Sequence, residues 1–112
     1  MSYNDNNIFA KILRGEIPCN KVYEDDYVLS FHDINPQKKI HVLVIPKGKY
    51  IDLDDFSQKA SQEEMVGLLK GISLVARKLG LSVDTGKGYR ALANISEHGG
   101  QEVPHLHFHL FG

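Results

Sequence analysis

With 112 residues, 42% apolar and 24% charged, the chain suits one soluble globular domain spanning residues 1–112 around a single core. A formal net charge of -1 gives no electrostatic footprint for nucleic acid or an anionic membrane, and no apolar run approaches the roughly 20 residues that span a bilayer. The polar stretch Met1–Asn7 lacks the basic and apolar regions of a signal peptide. Cys19 is the one cysteine, which rules out an internal disulfide and makes a reducing cytoplasm the natural setting.

Asn7 is a plausible N-cap, and Ile8, Phe9, Ile12 and Leu13 share one helical face, so a short helix is expected from Asn7 to Arg14, ended by Gly15. Its apolar face serves either a ligand pocket or plain core contact. Cys19 reads as a packing residue. Lys21–Glu24 and Tyr27–His32 read as strands separated by an Asp25-Asp26 turn, with Tyr27, Leu29, Phe31 and Asp33 on one face. After the Asn35-Pro36 turn, Ile40–Ile45 is a β-branched strand closed by Pro46, with His41, Leu43 and Ile45 on one face.

Lys47–Ser57 is expected to be a polar connection. The acids at Asp52, Asp54 and Asp55 lack the glycine and terminal glutamate of a calcium loop. Ser61 with Glu64 fits a capping box, and Met65, Leu68, Leu69, Ile72, Val75, Ala76 and Leu79 recur at helical spacing up to Gly80. This is the long helix, covering a core. Tyr89–Asn94 reads as a fourth strand and Ser96–Glu102 as a glycine-bearing loop. The fold class is α+β: an antiparallel sheet of about five strands with one long and one short helix.

The chain is organised around His105-Leu106-His107-Phe108-His109-Leu110-Phe111-Gly112. Alternation at period two sends His105, His107 and His109 to one side of a strand and Leu106, Phe108 and Leu110 to the other. Neighbouring imidazoles then lie roughly 6–7 Å apart. Histidine titrates near neutrality, and adjacent imidazoles resist a second positive charge, so one can stay an unprotonated nucleophile while another acts as acid. His107, flanked by a histidine on each side, is the best-placed nucleophile. His105 and His109 are roughly 13 Å apart along such a strand, too far for one zinc ion to hold all three; a pair joined by His41 remains possible, and no required metal is expected. Gly99-Gly100 before the strand can offer backbone N–H groups to an anion, although a turn is the default meaning of the pair.

Together with Ile8–Ile12, Glu16-Ile17-Pro18, Phe31–Gln37, His41–Pro46, Gly88-Tyr89-Arg90, Asn94 and His98–Val103, the histidine run resembles the histidine triad family, in particular its Hint branch of purine nucleotide-binding phosphoramidases in bacterial form. The resemblance implies a homodimer whose sheets join into one ten-stranded sheet. It also implies metal-free hydrolysis of adenosine 5′-phosphoramidates and related nucleotidyl-amines. By that resemblance His107 attacks the α-phosphorus, the amine leaves, and water cleaves the nucleotidyl-histidine. His109 and His41 contact phosphate or support the nucleophile, and His105 orients its neighbour. Asp33 accepts from the ribose hydroxyls. Ile8, Phe9, Ile12, Phe31, Ile34 and Leu43 enclose a purine base of AMP or GMP type, and Asn94, Gly100 and Gln101 contact phosphate or leaving group. No cofactor is implied. Histidine rather than glutamine at 109 favours hydrolysis over nucleotidyl transfer. Dinucleoside polyphosphate hydrolases are the nearest rival enzymes, and a non-catalytic nucleotide- or zinc-binding regulator is the rival of another class. Glu102 stands where animal members place a serine, and members usually continue past the glycine at 112 into a tail.

Overall fold

A computed structural model describes residues 2–112. Helix α1 (Ile8–Leu13) starts where Asn7 turns extended and its Oδ1 accepts the Ala10 N–H at 2.9 Å. It ends at Arg14, with Gly15 at φ 79°, a left-handed value that glycine adopts without a Cβ clash. Strands β1 (Lys21–Glu24), β2 (Val28–His32) and β3 (His41–Pro46) follow as an antiparallel meander. Helix α2 (Leu53–Lys59) and the long α3 (Gln62–Lys78) lead to β4 (Arg90–Leu92), the short α4 (Ser96–Gly99) and β5 (Phe108–Phe111). The sheet order is β1-β2-β3-β5-β4, with every neighbouring pair antiparallel. The α+β class and the five-stranded antiparallel sheet stand as expected.

The two faces of the sheet bury different sets. Val28, Val42, Val44 and Leu110 meet Leu68, Ile72 and Val75 of α3, with Phe56 and Leu106 in the same cluster. On the other face Leu29, Phe31, Leu43 and Ile45 meet Phe9 of α1, with Ile12 and Leu13 packed against them. Each such aliphatic side chain withdrawn from water contributes roughly 1.5–3 kcal/mol. Sheet parity then assigns the histidines: His41 lies on the strand face of Leu43 and Ile45, and His109 pairs directly with Leu43. The histidine row therefore sits on the α1 face, opposite α3.

Four boundaries differ from expectation. The stretch expected as a bare polar connection contains α2. Asp52 Oδ1 accepts the Asp55 N–H at 2.8 Å as N-cap, Asp54 and Asp55 complement the helix dipole in the first turn, and Phe56 is driven into the core. The Gly99 loop contains the single turn α4. Tyr27 lies outside β2 and its ring covers Gly67 of α3, so it leaves the face shared by Leu29 and Phe31. The fourth strand is three residues long rather than six.

The histidine segment itself pairs as a strand from Phe108 onward. The β3–β5 ladder runs from His41↔Phe111 to Val44↔Phe108 and stops near Pro46, which has no N–H to give. Upstream, the Leu106 N–H goes to the Tyr50 carbonyl at 2.8 Å and the His105 N–H to the Val103 carbonyl at 2.9 Å. The side-chain alternation survives the loss of the ladder, because Leu106 and Leu110 are both sealed in the α3 core.

Candidate active site

Hydrogen bonds to groups of fixed polarity assign the protons on the histidines. His107 Nδ1 lies 2.7 Å from the His105 carbonyl oxygen, which can only accept, so Nδ1 carries the proton and Nε2 holds a free lone pair. The backbone N–H of Gln37 donates to His41 Nδ1 at 3.1 Å, which places the His41 proton on Nε2. That Nε2–H lies 3.0 Å from His109 Nδ1 and 3.3 Å from Asp33 Oδ2. His109 Nδ1 therefore accepts, and its Nε2–H is left as a donor. The site thus presents an open lone pair on His107 beside an open N–H on His109, with ring centroids 5.1 Å apart. Neither nitrogen is sealed off: among the described residues, Ser30 Oγ is the one fully buried side-chain polar atom without a partner.

The surroundings keep these rings neutral. Burial pushes His105 down to about 4, against a small opposing effect of the Pro46 carbonyl. Burial likewise lowers His107 below the ordinary imidazole value. His109 is pushed to about 4, by burial first and then by His107 and His41. An unprotonated nitrogen is what a nucleophile or a metal ligand needs.

Of the expected base-enclosing residues, Phe9, Phe31 and Leu43 come together as a buried cluster with Ile12 packed on it. Phe9 packs edge to face with ring centroids 4.9 Å from His107 and 5.6 Å from Phe31, joining the apolar set to the histidine row. Ile8 is half exposed and Ile34 is 87% exposed at the turn after β2, so neither is part of that cluster. Asp33 is partly exposed, with Oδ1 accepting the Asn35 N–H at 2.8 Å. Asn94 precedes α4 and lies against Gly99.

Gly100 and Gln101 have partners within the protein. The N–H groups of Gly99, Gly100 and Gln101 donate to the carbonyls of Ile95, Glu97 and Ser96. The Gln101 carboxamide donates to the carbonyls of Ile51 (2.6 Å) and Val103 (3.0 Å) and accepts the Ser96 N–H. These bonds close the loop on itself and tie Gln101 to the segment after β3 and to Val103. His32 and His98, the two histidines outside the row and β3, are exposed. A groove of about 500 Å³ runs beside α1, lined by Ile12, Leu13, Cys19, Leu29 and Lys47 among others; it lies apart from the histidine row, so side-chain geometry rather than cavity size locates the chemistry. Burial raises the Cys19 thiol in that groove, which keeps it unreactive.

Asp33, His41 and His109 each offer a ligand atom, all within 4.8 Å of one another, an arrangement that could hold a divalent ion. Tyr3, whose hydroxyl meets His105, and the Gln37 N–H and Pro46 carbonyl that fix imidazole protons carry no signal in the sequence. Backbone partners leave no trace in residue identity.

Residues 14–112 match the family model described as HIT domain. Over 109 residues the chain is 41% identical to the purine nucleoside phosphoramidase of Escherichia coli strain K12, covering 96% of this chain and 87% of that protein. An HIT-like protein of Azospirillum brasilense is 54% identical over 110 residues, with 98% and 88% of the two chains covered. Among solved structures, the HIT family hydrolase of Legionella pneumophila Philadelphia 1 superposes with a TM-score of 0.85 at 39% identity, covering 96% of this chain and 92% of that one. With the histidine row, the sheet that carries it and these likenesses in agreement, the chain belongs to the HIT domain family.

Proposed function

We propose that this protein is a nucleotide-binding hydrolase that cleaves the P–N bond of purine nucleoside 5′-phosphoramidates. The observation that carries this reading is the unprotonated, unblocked Nε2 of His107, held by the His105 carbonyl beside the free Nε2–H of His109. In the proposed reaction Nε2 of His107 forms a bond to the α-phosphorus while the P–N bond breaks. The departing amine takes up a proton from water, while the neutral His109 keeps its Nε2–H and donates it as a hydrogen bond to a phosphoryl oxygen. Water then attacks the nucleotidyl-histidine, returning His107 and releasing the nucleoside monophosphate.

Asp33 has lone pairs left after its contacts with Asn35 and His41, and a carboxylate can use them to accept both ribose hydroxyls. Phe9, Ile12, Phe31 and Leu43 supply an apolar wall for a purine, with Ile8 and Ile34 at its exposed rim. Asn94 is the side chain assigned to phosphate or leaving group. The reaction needs no metal in this reading, and a cytoplasmic setting suits the lone reduced cysteine. The phosphoramidase relative from Escherichia coli supports the substrate class.

The test is release of AMP or GMP from adenosine and guanosine 5′-phosphoramidates by the wild type and by His107→Ala, with and without chelator. Turnover by the wild type that survives chelation, and falls by at least about 10³-fold in His107→Ala, is expected. Undiminished hydrolysis by His107→Ala would refute the nucleophile. The Asp33–His41–His109 cluster favours one second reading, a zinc-binding nucleotide regulator. Tight AMP binding without turnover, together with loss of that binding on chelation, would establish it instead.

A further inference from the structure

The N-terminal segment reaches the histidine row from outside the sheet. Tyr3 Oη lies 2.5 Å from His105 Nδ1, and the two rings meet edge to face with centroids 5.6 Å apart. On the other side of the ring, His105 Nε2 lies 2.8 Å from the Pro46 carbonyl oxygen. That carbonyl can only accept, so Nε2 carries the proton and Nδ1 is the acceptor for the Tyr3 hydroxyl. His105 is fully buried, and without Tyr3 its Nδ1 would be a sealed acceptor with nothing to accept, an unfavourable state for any buried polar atom. Burial raises the Tyr3 phenol above its ordinary value, which keeps it protonated and able to donate. The segment is tied down independently: Asp5 pairs with Lys49 at 2.9 Å, and the Arg14 guanidinium donates to the Asp5 carbonyl at 2.8 Å.

We propose that Tyr3 is a positioning residue of the active site, acting through His105 on His107. The imidazole of His105 is gripped at both nitrogens, by Tyr3 on one side and Pro46 on the other. Its ring plane and the peptide that follows are thereby fixed. The carbonyl of that peptide accepts the His107 Nδ1–H at 2.7 Å and so decides which nitrogen of His107 faces the phosphorus. Releasing one grip lets the carbonyl turn, and His107 then samples the tautomer whose Nε2 is protonated and cannot attack. The proposal rests on the reading of His107 as nucleophile, but its chain of contacts can be tested without any substrate.

The experiment is Tyr3→Phe, which keeps the ring against His105 and removes the hydroxyl. It is compared with the wild type and with Lys49→Ala, which loosens the same segment at Asp5 without touching His105. Imidazole ¹⁵N NMR reads the tautomers directly, and steady-state hydrolysis of an adenosine phosphoramidate reads kcat and KM. In Tyr3→Phe, the His107 nitrogen shifts are expected to move from a single Nδ1–H tautomer toward a mixture, with kcat down about tenfold and KM within about twofold. Lys49→Ala is expected to match the wild type in both readouts. Unchanged His107 nitrogen shifts in Tyr3→Phe would overturn the proposal, as would an equal change in Lys49→Ala. If the wild type hydrolyses no phosphoramidate, the functional reading fails while the nitrogen shifts still decide the role of Tyr3.

Discussion

Three neighbouring imidazoles share one property with a measurable consequence: burial holds His105, His107 and His109 below the ordinary histidine value of 6.5. A group of this kind binds fewer protons folded than unfolded. The stability it contributes is present above about pH 6.5 and is lost as the pH falls through the folded value, near pH 4 for His105. For a fully buried imidazole the loss is roughly 3 kcal/mol. Urea midpoints measured at intervals between about pH 7 and pH 4 should therefore fall steadily. A flat profile would show that the rings are not withdrawn from water as described. Turnover should follow the same direction, because the proposed attack by His107 needs a neutral imidazole. The acid limb of kcat/KM is expected below the ordinary histidine range rather than at it.

Individual elements carry their own tests. Strand β2 places Ser30 in full burial, where its Oγ finds no partner among the described residues. Ser30→Ala removes that unpaired hydroxyl at little cost in volume and should stabilise the protein by about 1 kcal/mol, read as a raised denaturant midpoint with unchanged slope. Helix α2 depends on its cap instead. Asp52→Ala removes the acceptor for the Asp55 N–H and should destabilise by about 1 kcal/mol in the same measurement. Helix α2 also shows where local reading falls short. Seven residues with one buried side chain, Phe56, are too few for an apolar period to be visible, although Asp52, Asp54 and Asp55 are in place as cap and first turn. Helix α3 is long enough for its period to declare itself, and its capping box of Ser61 and Glu64 forms as the residues indicate.

At the scale of the whole molecule, the sheet ends in two unlike edges. Strand β1 carries Lys21 and Glu24, and Glu24 pairs with both Lys21 and Lys47; such charged edges discourage further pairing. Strand β4 is short, exposed and without such a cluster. Along α3, Leu69 is an apolar side chain left 70% exposed. A homodimer of the kind the family resemblance implies, with two sheets joined into one, would pair through the edge at β4, and we propose that the exposed Leu69 is covered in it. Sedimentation equilibrium should give twice the chain mass of 12.6 kDa, and Leu69→Lys should shift the population toward monomer. A wild type that stays monomeric at high concentration would refute the arrangement.

What the sequence by itself determined is whatever repeats with a period or is written in a residue's own chemistry. The alternation from His105 to Leu110 set the histidines on one face, and the 3.6-residue spacing from Met65 to Leu79 defined α3. The positions of Phe31, Leu43 and His41 on shared strand faces followed from the same rule. What only the tertiary structure decided is which partner each polar atom meets. The family resemblance implies a phosphate contact for Gln101, but no residue pattern foretells that its amide donates to the carbonyls of Ile51 and Val103. Residue identity said nothing of Tyr3, 102 positions from the imidazole it touches, nor of the Pro46 and His105 carbonyls that hold the imidazole protons. The physical reason is that a side chain's periodicity is local and legible along the chain, while a hydrogen bond joins atoms that only folding brings within 3 Å, and half of those atoms belong to a backbone that every residue shares.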